Sequence, residues 1–392
     1  MKIAFIGQKG IPASSGGVER HVDDLATRLA KEGHEVICYC RNHYTPKDLK
    51  EYKGVKLIHL PTIKTKHLDA IIHTFLATID VLFRKVDIIH YHSIGPSSLL
   101  WVPKILKRRA RIVSTFHSDS RKHKKWGWFA RKCLGLGAFI SLRLADKAIT
   151  VSRIQKEKCK EEFGGNSIYI PNGVIIRKKI LPDLIREKWN LYGNDYILSV
   201  SRLIECKGLH YLIEAYKSLK TDKKLVFVGA ANYTDKYIKY LKDLAHDNPN
   251  IIFTGEQNGK VLAELYSNAY LFVQPSEVEG LSIALLEAMS YGLPILVSDI
   301  PENKEAVADF GFIFRSKSIG DLERKLKFIL DNPEIAEEKK AKAKEHVALN
   351  YNWDKILRKT INLYEQLLVK NLIKGFGRLI NYQGREEEIK IN

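Results

Sequence analysis

The chain has few cysteines, and this absence removes one class of protein. Its 392 residues contain five cysteines, an odd number, at Cys38, Cys40, Cys133, Cys159 and Cys206. They show no metal-ligand spacing, so a disulfide framework of the secreted type is disfavoured and a reducing compartment such as the cytoplasm is expected.

Long apolar runs are also missing. The run that opens the chain stops at Gln8 and Lys9, which is too short for a signal peptide and typical of a first buried strand. The most apolar later stretch, residues 68–83, is interrupted by Asp69 and Asp80. We therefore expect no membrane-spanning segment.

Short apolar, β-branched runs alternate with helical patterns along the chain. Given about 150 residues per domain, 392 residues predict two or three domains, and two is the simplest choice. Seven strand-like runs precede Trp189 and six follow it: KIAFIG, EVICYC, VKLIHL, DIIHYH, RIVSTF, KAITVS and SIYIPN, then YILSVS, KLVFVG, NIIFTG, YLFVQP, PILVSD and GFIFR. Repetition of this βα kind predicts two doubly wound parallel sheets covered by helices on both faces.

The domain boundaries follow from a charged, strand-poor linker. We expect a first domain over residues 1–175 and a second over residues 190–350. The apolar spacing from Trp353 onward predicts a C-terminal helical segment, residues 352–392, that packs back on the first domain.

Two glutamates, Glu279 and Glu287, stand eight positions apart where a predicted strand gives way to a helix. Gly280 and the apolar pattern after it predict a helix that opens over 280–283. Because the first N–H groups of a helix lack partners within it, that end can hold an anion or a sugar hydroxyl. Glu287 is the only charged residue from 280 to 297, which favours binding over the usual role of a solvated surface acid.

Three further patterns point to an anionic ligand between the domains. Gly16 and Gly17 end the loop after the first strand, where the backbone can approach a diphosphate; a simple tight turn explains them about equally well. Arg202 and Lys207 follow a strand end, from which two cations can neutralise a diphosphate, although most such pairs are surface cations. His117 also follows a strand directly, a place where a lone histidine is more often structural than catalytic.

Together these positions resemble the retaining glycosyltransferases of family 4, which have the GT-B architecture of two facing Rossmann-like domains with a cleft between them. The resemblance covers nearly the whole chain. Its carriers are IGQKGIPASSGGVERHV, STFH, IPNGV, SRLIECKG and EGLSIALLEAMSYGLPILVSD, the last matching the family's pair of glutamates separated by seven residues. The opening also looks like the subset that contains rhamnosyl and other cell-surface polysaccharide transferases.

The resemblance implies roles for particular residues. Glu279 would hydrogen-bond hydroxyls of the donor sugar, and Glu287 the nucleotide ribose. Arg202 and Lys207 would neutralise the diphosphate, and His117 would lie by the donor sugar near the acceptor. The other donor-binding positions, mostly acting through the main chain, are Gly16, Gly17, Gly255, Glu256, Gly280, Leu281, Ser282 and Ile283.

The chemistry implied is transfer with retention, explained in this family by attack on the face that the nucleotide leaves. No D-x-D stands between polar flanks at a strand end, so no metal is expected, and no cofactor beyond a nucleotide-diphosphate sugar as co-substrate. Two departures concern Ser201 and Ser282, where the family often has glycine. Both side chains are small, so they leave donor choice more open than activity.

Charge is concentrated in one stretch of the first domain. Residues Lys104 to Lys132 hold eleven Lys or Arg against one acid, an excess of ten, whereas the whole chain has a net charge of +19. With Trp126, Trp128 and Phe129 interleaved, this stretch predicts contact with an anionic membrane surface. An ordinary solvated basic face explains it about equally well, and no recognised module supports nucleic-acid binding. The tail 368–380 is similarly apolar and basic.

The sequence thus predicts an enzyme in the cytoplasm, or on the inner face of the cell membrane, that glycosylates a saccharide or lipid-linked acceptor. A GT-B binding or partner protein without turnover, using its basic face for anionic lipid or polymer, is the alternative. A sugar phosphorylase or nucleotide-sugar epimerase on a similar scaffold is less favoured. The donor sugar, base, acceptor and linkage stay open.

Overall fold

A computed structural model describes residues 1–65, 68–119, 121, 127–230, 235–246 and 248–369. The first sheet is built from the N-terminal half of the chain, together with the helices that connect its strands. Its strands are β1 Lys2–Ile6, β2 Glu35–Arg41, β3 Glu51–Tyr52, β4 Val55–Leu60, β5 Ile88–His92, β6 Arg111–Phe116, β7 Lys147–Thr150 and β8 Ser167–Tyr169. The helices are α1 Gly17–Lys31, α2 Leu68–Leu82, α3 Ile94–Ser97, α4 Trp101–Leu106, α5 Trp128–Arg143 and α6 Arg153–Phe163.

The second sheet has six strands. They are β9 Tyr196–Val200, β10 Lys224–Val228, β11 Ile251–Phe253, β12 Leu271–Gln274, β13 Ile295–Ser298 and β14 Phe312–Phe314. The helices of this half are α7 Leu184–Trp189, α8 Leu209–Lys217, α9 Asp235–Ala245, α10 Gly259–Asn268, α11 Ile283–Ser290, α12 Pro301–Val307, α13 Ile319–Asp331 and α14 Pro333–Asn350. A further helix, α15, covers residues 353–369.

Both sheets are doubly wound, and the predicted fold class is confirmed. The first has the strand order β3-β4-β2-β1-β5-β6-β7-β8 and the second β11-β10-β9-β12-β13-β14. Only the short strand β3, which the sequence patterns did not indicate, pairs antiparallel among the strands of the described residues. The winding direction reverses between β1 and β5 and between β9 and β12, and ligands of such sheets bind beyond the carboxyl ends of the strands at that point.

Alternate residues of β1 face two different cores. Ile3 and Phe5 pack with α1 and α15, whereas Ala4 and Ile6 pack with α2 and α5. This is the period-two alternation of a strand buried on both faces. Helix α15 therefore follows the second domain in sequence but covers the first sheet.

The chain crosses between the two halves at one place. Val174 donates its backbone N–H to the Tyr351 carbonyl at 2.8 Å, and Val174 also bridges to Asn352. The outward and return connections thus lie side by side, and the ring of Trp353 packs against Gly173, where a Cβ would come within 2.4 Å of it.

The apolar stretch 68–83 contains α2, a helix of 15 residues. Its Ala77 and Val81 are fully buried against the first sheet. Across the part of the chain that the structure describes, no helix combines the length and the apolar character required to cross a bilayer.

Candidate active site

The carboxyl ends of the two sheets face each other, and the two halves touch at Gly280. A Cβ on this residue would lie 1.7 Å from the His117 carbonyl oxygen of the first domain. Beside this contact, Asn172 donates from Nδ2 to the Leu281 carbonyl at 2.8 Å. Only glycine permits this approach, so Gly280 fixes how narrow the cleft is at this point.

Lys207 and Glu279 form an ion pair on the second-domain side of the cleft. Lys207 ends a short 3₁₀ turn after β9, and its Nζ lies 2.5 Å from Glu279 Oε1. The two side chains are 14% and 9% exposed. Arg202, beyond the end of the same strand, is exposed. The structure therefore brings together Lys207, to which the resemblance assigned the diphosphate, and Glu279, to which it assigned the donor sugar.

The turn that carries Lys207 is held against the loop that carries Glu279. The Glu277 N–H donates to the Cys206 carbonyl at 2.8 Å, and a Cβ on Gly208 would lie 2.2 Å from the Pro275 carbonyl oxygen. Glu277 also accepts a hydrogen bond from the Tyr211 hydroxyl at 2.9 Å. These contacts fix the position of the ion pair before any ligand is present.

Helix α11 begins at Ile283, with Ser282 as its N-cap. The Ser282 hydroxyl accepts from the Leu285 N–H at 3.3 Å and donates to Gln274 Oε1 at 2.6 Å. Leu281 is buried in the second-domain core. This anchoring points the N-terminal, partly positive end of the helix toward the cleft.

Glu287 lies deeper in the cleft and faces α1 of the first domain. Its Oε1 is 3.9 Å from Arg20 Nη2. Burial raises the pKa of Glu287, and the Arg20 guanidinium only partly opposes this shift. The same small pocket is lined by Trp353 and Arg177. A partly desolvated carboxylate next to a cation, with an aromatic wall, is suited to hold a diol.

The first-domain glycine loop presents the N-terminus of α1 to the same cleft. Glu19 accepts a hydrogen bond from the Lys9 N–H at 3.0 Å, and the Tyr44 hydroxyl accepts from Ser15 N–H at 3.0 Å. Gly16 has a φ of 96° and caps the helix. Gly17 is exposed, and a Cβ there would meet nothing within 4 Å. The space beside this helix end is therefore open to a ligand.

His117 belongs to a cluster of buried imidazoles. Its Nε2 lies 3.0 Å from His92 Nδ1, and the His21 ring centroid is 4.9 Å from its own. Burial lowers the pKa of all three rings, that of His21 to about 4. The wall of the cleft around His117 is consequently neutral at pH 7.

Among the described residues, the cluster whose geometry could hold a metal ion consists of these three histidines. One ring nitrogen of each lies within 4.8 Å of the others. One nitrogen of His92 and one of His117 are engaged with each other in a hydrogen bond. His21 Nδ1 and His92 Nε2 are buried without a hydrogen-bond partner.

Gly255 and Glu256 lie away from the ion pair. They follow β11, the edge strand of the second sheet, and both are exposed. The Gly255 carbonyl accepts from the Gly229 N–H at 2.8 Å. If they contact the base as predicted, the nucleoside lies across the carboxyl ends of β9, β10 and β11.

A cavity of about 440 Å³ opens beside Glu279 between the two halves. The first domain contributes Phe116 and Arg121 to its wall, and the second contributes Glu277 and Glu302. Arg121 is ion-paired with Asp119 at 2.8 Å and with Glu162. The cavity is thus polar and contiguous with the ion pair.

Sequence reasoning missed several residues that the structure brings to the cleft. Arg20 and His21 lie within the quoted GGVERHV, only a few positions after Gly17. His92 ends β5, a strand beside the switch point. The rule that ligands lie at strand carboxyl ends could have found His92, whereas Asn172 carried no signal beyond its place in IPNGV.

Part of the predicted membrane surface lies outside the described residues. This applies to residues 120 and 122–126, which include Trp126, to the side chain of Phe129, and to the tail beyond 369. Trp128 is described: it is exposed, and Lys132 Nζ lies 4.2 Å from its ring centroid.

Comparison with known proteins agrees with this geometry. The model of Glycosyltransferase Family 4 matches residues 15–178, and that of Glycosyl transferases group 1 matches residues 183–346. An uncharacterised glycosyltransferase of Methanocaldococcus jannaschii is 26% identical over 398 residues, which cover 93% of this chain and 98% of that protein.

Solved structures share the fold at lower identity. Sucrose-phosphate synthase from Thermosynechococcus elongatus has a TM-score of 0.79 at 22% identity and covers 94% of this chain and 99% of its own. HepE of Anabaena, solved in complex with UDP and glucose, has a TM-score of 0.78 at 19% identity, with coverage of 93% and 100%.

Two Rossmann-like domains that face each other across one cleft define the GT-B architecture. The two family models then identify the chain as a glycosyltransferase, composed of a family 4 domain followed by a group 1 domain. The predictions of the fold and of the enzyme class are confirmed. The retaining mechanism and the rhamnosyl subset stay predictions.

Proposed function

We propose that this protein is a retaining, metal-independent glycosyltransferase. It moves a sugar from a nucleotide-diphosphate sugar to a saccharide or lipid-linked acceptor in cell-surface polysaccharide or glycolipid synthesis, on the cytoplasmic side of the membrane. The observation that carries this proposal is the ion pair between Lys207 and Glu279, which stands at the switch point of the second sheet next to the Gly280 contact with His117.

The ion pair supplies a diphosphate site that is preformed. On donor binding, Lys207 turns to the diphosphate and releases the Glu279 carboxylate to accept hydrogen bonds from sugar hydroxyls. Arg202 lies beyond the end of β9, the strand that precedes Lys207, and adds a second cation. The N-termini of α1 and α11 contribute N–H groups to the same anion. These fixed positive groups stabilise the nucleotide diphosphate as it departs, so electrostatic preorganisation is the main source of catalysis.

Transfer with retention fits the surroundings of the donor sugar. Once Lys207 has turned to the diphosphate, the Glu279 carboxylate accepts hydrogen bonds from sugar hydroxyls, and this engagement makes it a poor nucleophile. His117 is neutral, and its main-chain carbonyl lies against Gly280. The acceptor hydroxyl therefore attacks from the face that the diphosphate leaves, and it enters through the cavity beside Glu279.

A thermal-shift screen tests the donor half of the proposal. UDP, GDP, dTDP, ADP and CMP, with their sugar adducts, are added to the purified full chain with EDTA present. A ligand that binds only the folded protein raises its unfolding temperature by mass action. We expect a shift with one nucleoside diphosphate in EDTA, lost in Lys207→Met. No shift with any of them would support the alternative of a binding protein without turnover.

Product analysis tests the transfer half. With the identified donor and a saccharide acceptor, proton NMR of the first-formed product reports the anomeric configuration, and we expect it to match the donor. His117→Gln is expected to retain the donor-induced thermal shift while losing most turnover. Inverted product, or His117→Gln with full turnover, would contradict the proposed mechanism.

A further inference from the structure

The outer side of α2 is apolar where a water-facing helix is normally polar. The inner side of this helix packs Ala77 and Val81 on the first sheet. Its outer side exposes four apolar side chains at spacings of three or four residues: Leu68, Ile71, Phe75 and Ile79. Phe83, directly after the helix, is 86% exposed. A helix that is apolar on both sides is normally covered, either by protein or by lipid.

The neighbouring helices extend this surface. Helix α2 contacts α3 and α4, and α3 contacts α5. On α4 the exposed apolar residues are Trp101, Ile105 and Leu106, and on α5 they are Trp128, Leu136 and Phe139. We call the surface formed by these exposed residues of the three helices, together with Phe83, the α2–α4–α5 face. Exposed apolar residues grouped on neighbouring helices are typical of interaction sites.

The charges exposed on these helices and on the segments that join them have one sign. Among the described residues from 68 to 146, every charged side chain classed as exposed is basic: Lys85, Arg108, Arg109, Arg131, Lys132 and Arg143. Apolar residues surrounded by cations are typical of surfaces that lie at the headgroup level of a bilayer.

The acids of the same stretch are withdrawn from the surface. All five are partly buried, and each accepts a hydrogen bond from within the protein. The donors are Arg41 to Asp69, Tyr39 to Asp80, the Lys2 N–H to Asp87, Arg121 to Asp119, and Lys104 to Asp146. Among the described residues of this stretch, no acidic side chain is therefore exposed beside the six bases.

We propose that the α2–α4–α5 face docks the first domain on an anionic lipid bilayer. The apolar side chains enter the boundary between headgroups and acyl chains, and the six exposed bases contact the headgroups. A second copy of the chain would place the same cations against one another, which disfavours self-association through this face. A nucleic acid would match the charge but not the aliphatic side chains.

This docking goes beyond the proposed transfer reaction, because it requires neither donor nor turnover. It also extends the membrane surface predicted from residues 104–132 to α2, a helix whose own sequence contains no lysine or arginine. The domain that docks is the one that supplies His117. A lipid-linked acceptor would therefore reach the cleft from the surface on which the enzyme rests.

Vesicle co-sedimentation of the full chain tests the proposal. Sucrose-loaded vesicles of phosphatidylcholine alone are compared with vesicles that contain phosphatidylglycerol, at low and high salt. We expect binding to the anionic vesicles. The triple variant Phe75→Gln/Phe83→Gln/Ile105→Gln should weaken it at least about tenfold, since it removes three large apolar side chains from the surface that enters the bilayer. Arg108→Gln/Arg131→Gln/Lys132→Gln should weaken it mainly at low salt.

The matched control replaces apolar residues of similar exposure on the second domain. Tyr240→Gln/Phe328→Gln/Leu349→Gln should bind anionic vesicles like the unmodified chain. Unfolding temperatures of all variants near that of the unmodified protein show that each is folded. Absence of the unmodified chain from the vesicle pellet at low salt, or full binding by the first triple variant, would overturn the proposal. So would a dimer, seen by analytical ultracentrifugation without lipid, that this variant abolishes.

Discussion

Apart from Arg20 and Arg121 of the first domain, the two walls of the cleft differ in charge. The first-domain wall carries His21, His92 and His117, which burial keeps neutral. The second-domain wall carries Lys207 and Glu279 in an ion pair. The difference fits the proposed division of roles, in which the charged wall would hold the diphosphate and the sugar hydroxyls and the neutral wall would shape the space in which a neutral acceptor hydroxyl attacks.

The largest effect is expected where the two walls meet. Gly280→Ala places a methyl group against the His117 carbonyl, so one wall must move. We expect kcat/KM to fall at least about 100-fold, the cost of displacing reacting groups by about 1 Å. Gly320→Ala is the control, because a Cβ there meets nothing within 4 Å and alanine favours the helix. Steady-state transfer assays of both variants measure kcat/KM. A fully active Gly280→Ala would show that the contact with His117 is not maintained in solution.

Removing the cation of the charged wall should have the next largest effect. Lys207→Met loses a charge-assisted hydrogen bond to the diphosphate, for which about 100-fold weaker donor binding is expected. Lys317→Met is matched to it, since Lys317 also pairs with a cleft glutamate, Glu277, at 3.1 Å but is 59% exposed. Isothermal titration with the nucleoside diphosphate measures both. Equal affinities in the two variants would contradict the assignment of Lys207.

Glu287→Gln should weaken donor binding by about tenfold through its ribose contact. The pKa of Glu287 is raised by burial, so in the unmodified enzyme the carboxylate is lost as the pH falls through a value above the ordinary glutamate range. Donor affinity should fall with it, whereas the glutamine variant should lack this step. Titrations of donor binding from pH 7.5 to 4.5 compare the unmodified enzyme and Glu287→Gln with Glu338→Gln on α14. This control variant is expected to show the same pH profile as the unmodified enzyme.

The neutral wall predicts a smaller effect, on stability. The pKa values of His21, His90, His92 and His117 are lowered in the folded protein. Below about pH 6.5 the unfolded chain therefore binds protons that the folded protein does not bind. The stability that these residues contribute is present above pH 6.5 and is lost as the pH falls toward the folded values, at up to about 1.4 kcal/mol per pH unit for each ring.

Urea unfolding at pH 7.5 and 5.5 checks this slope. His92→Asn removes one of the four rings and should reduce the pH dependence, whereas His246→Asn, at an exposed position, should leave it unchanged. A slope unaffected by His92→Asn would show that the wall is already protonated.

Sequence patterns predicted the elements better than the contacts. The thirteen predicted strands are present, because each is a buried apolar run. The site was assembled from motifs at strand ends, but the bond between Lys207 and Glu279 joins residues 72 positions apart. The approach of Arg20 to Glu287 depends on how two domains are placed. Local periodicity carries no information about such placement, so neither pair was predicted.

Helix α15 has a consequence for how the protein is made. Its Trp353, Ile356 and Tyr364 are buried in one core with Ile3 and Phe5, so residues about 350 positions apart must meet before that core is complete. During synthesis from the N-terminus, the part of the first sheet that α15 covers stays exposed until the entire second domain has been translated. The domain that begins folding first is therefore the last to be finished.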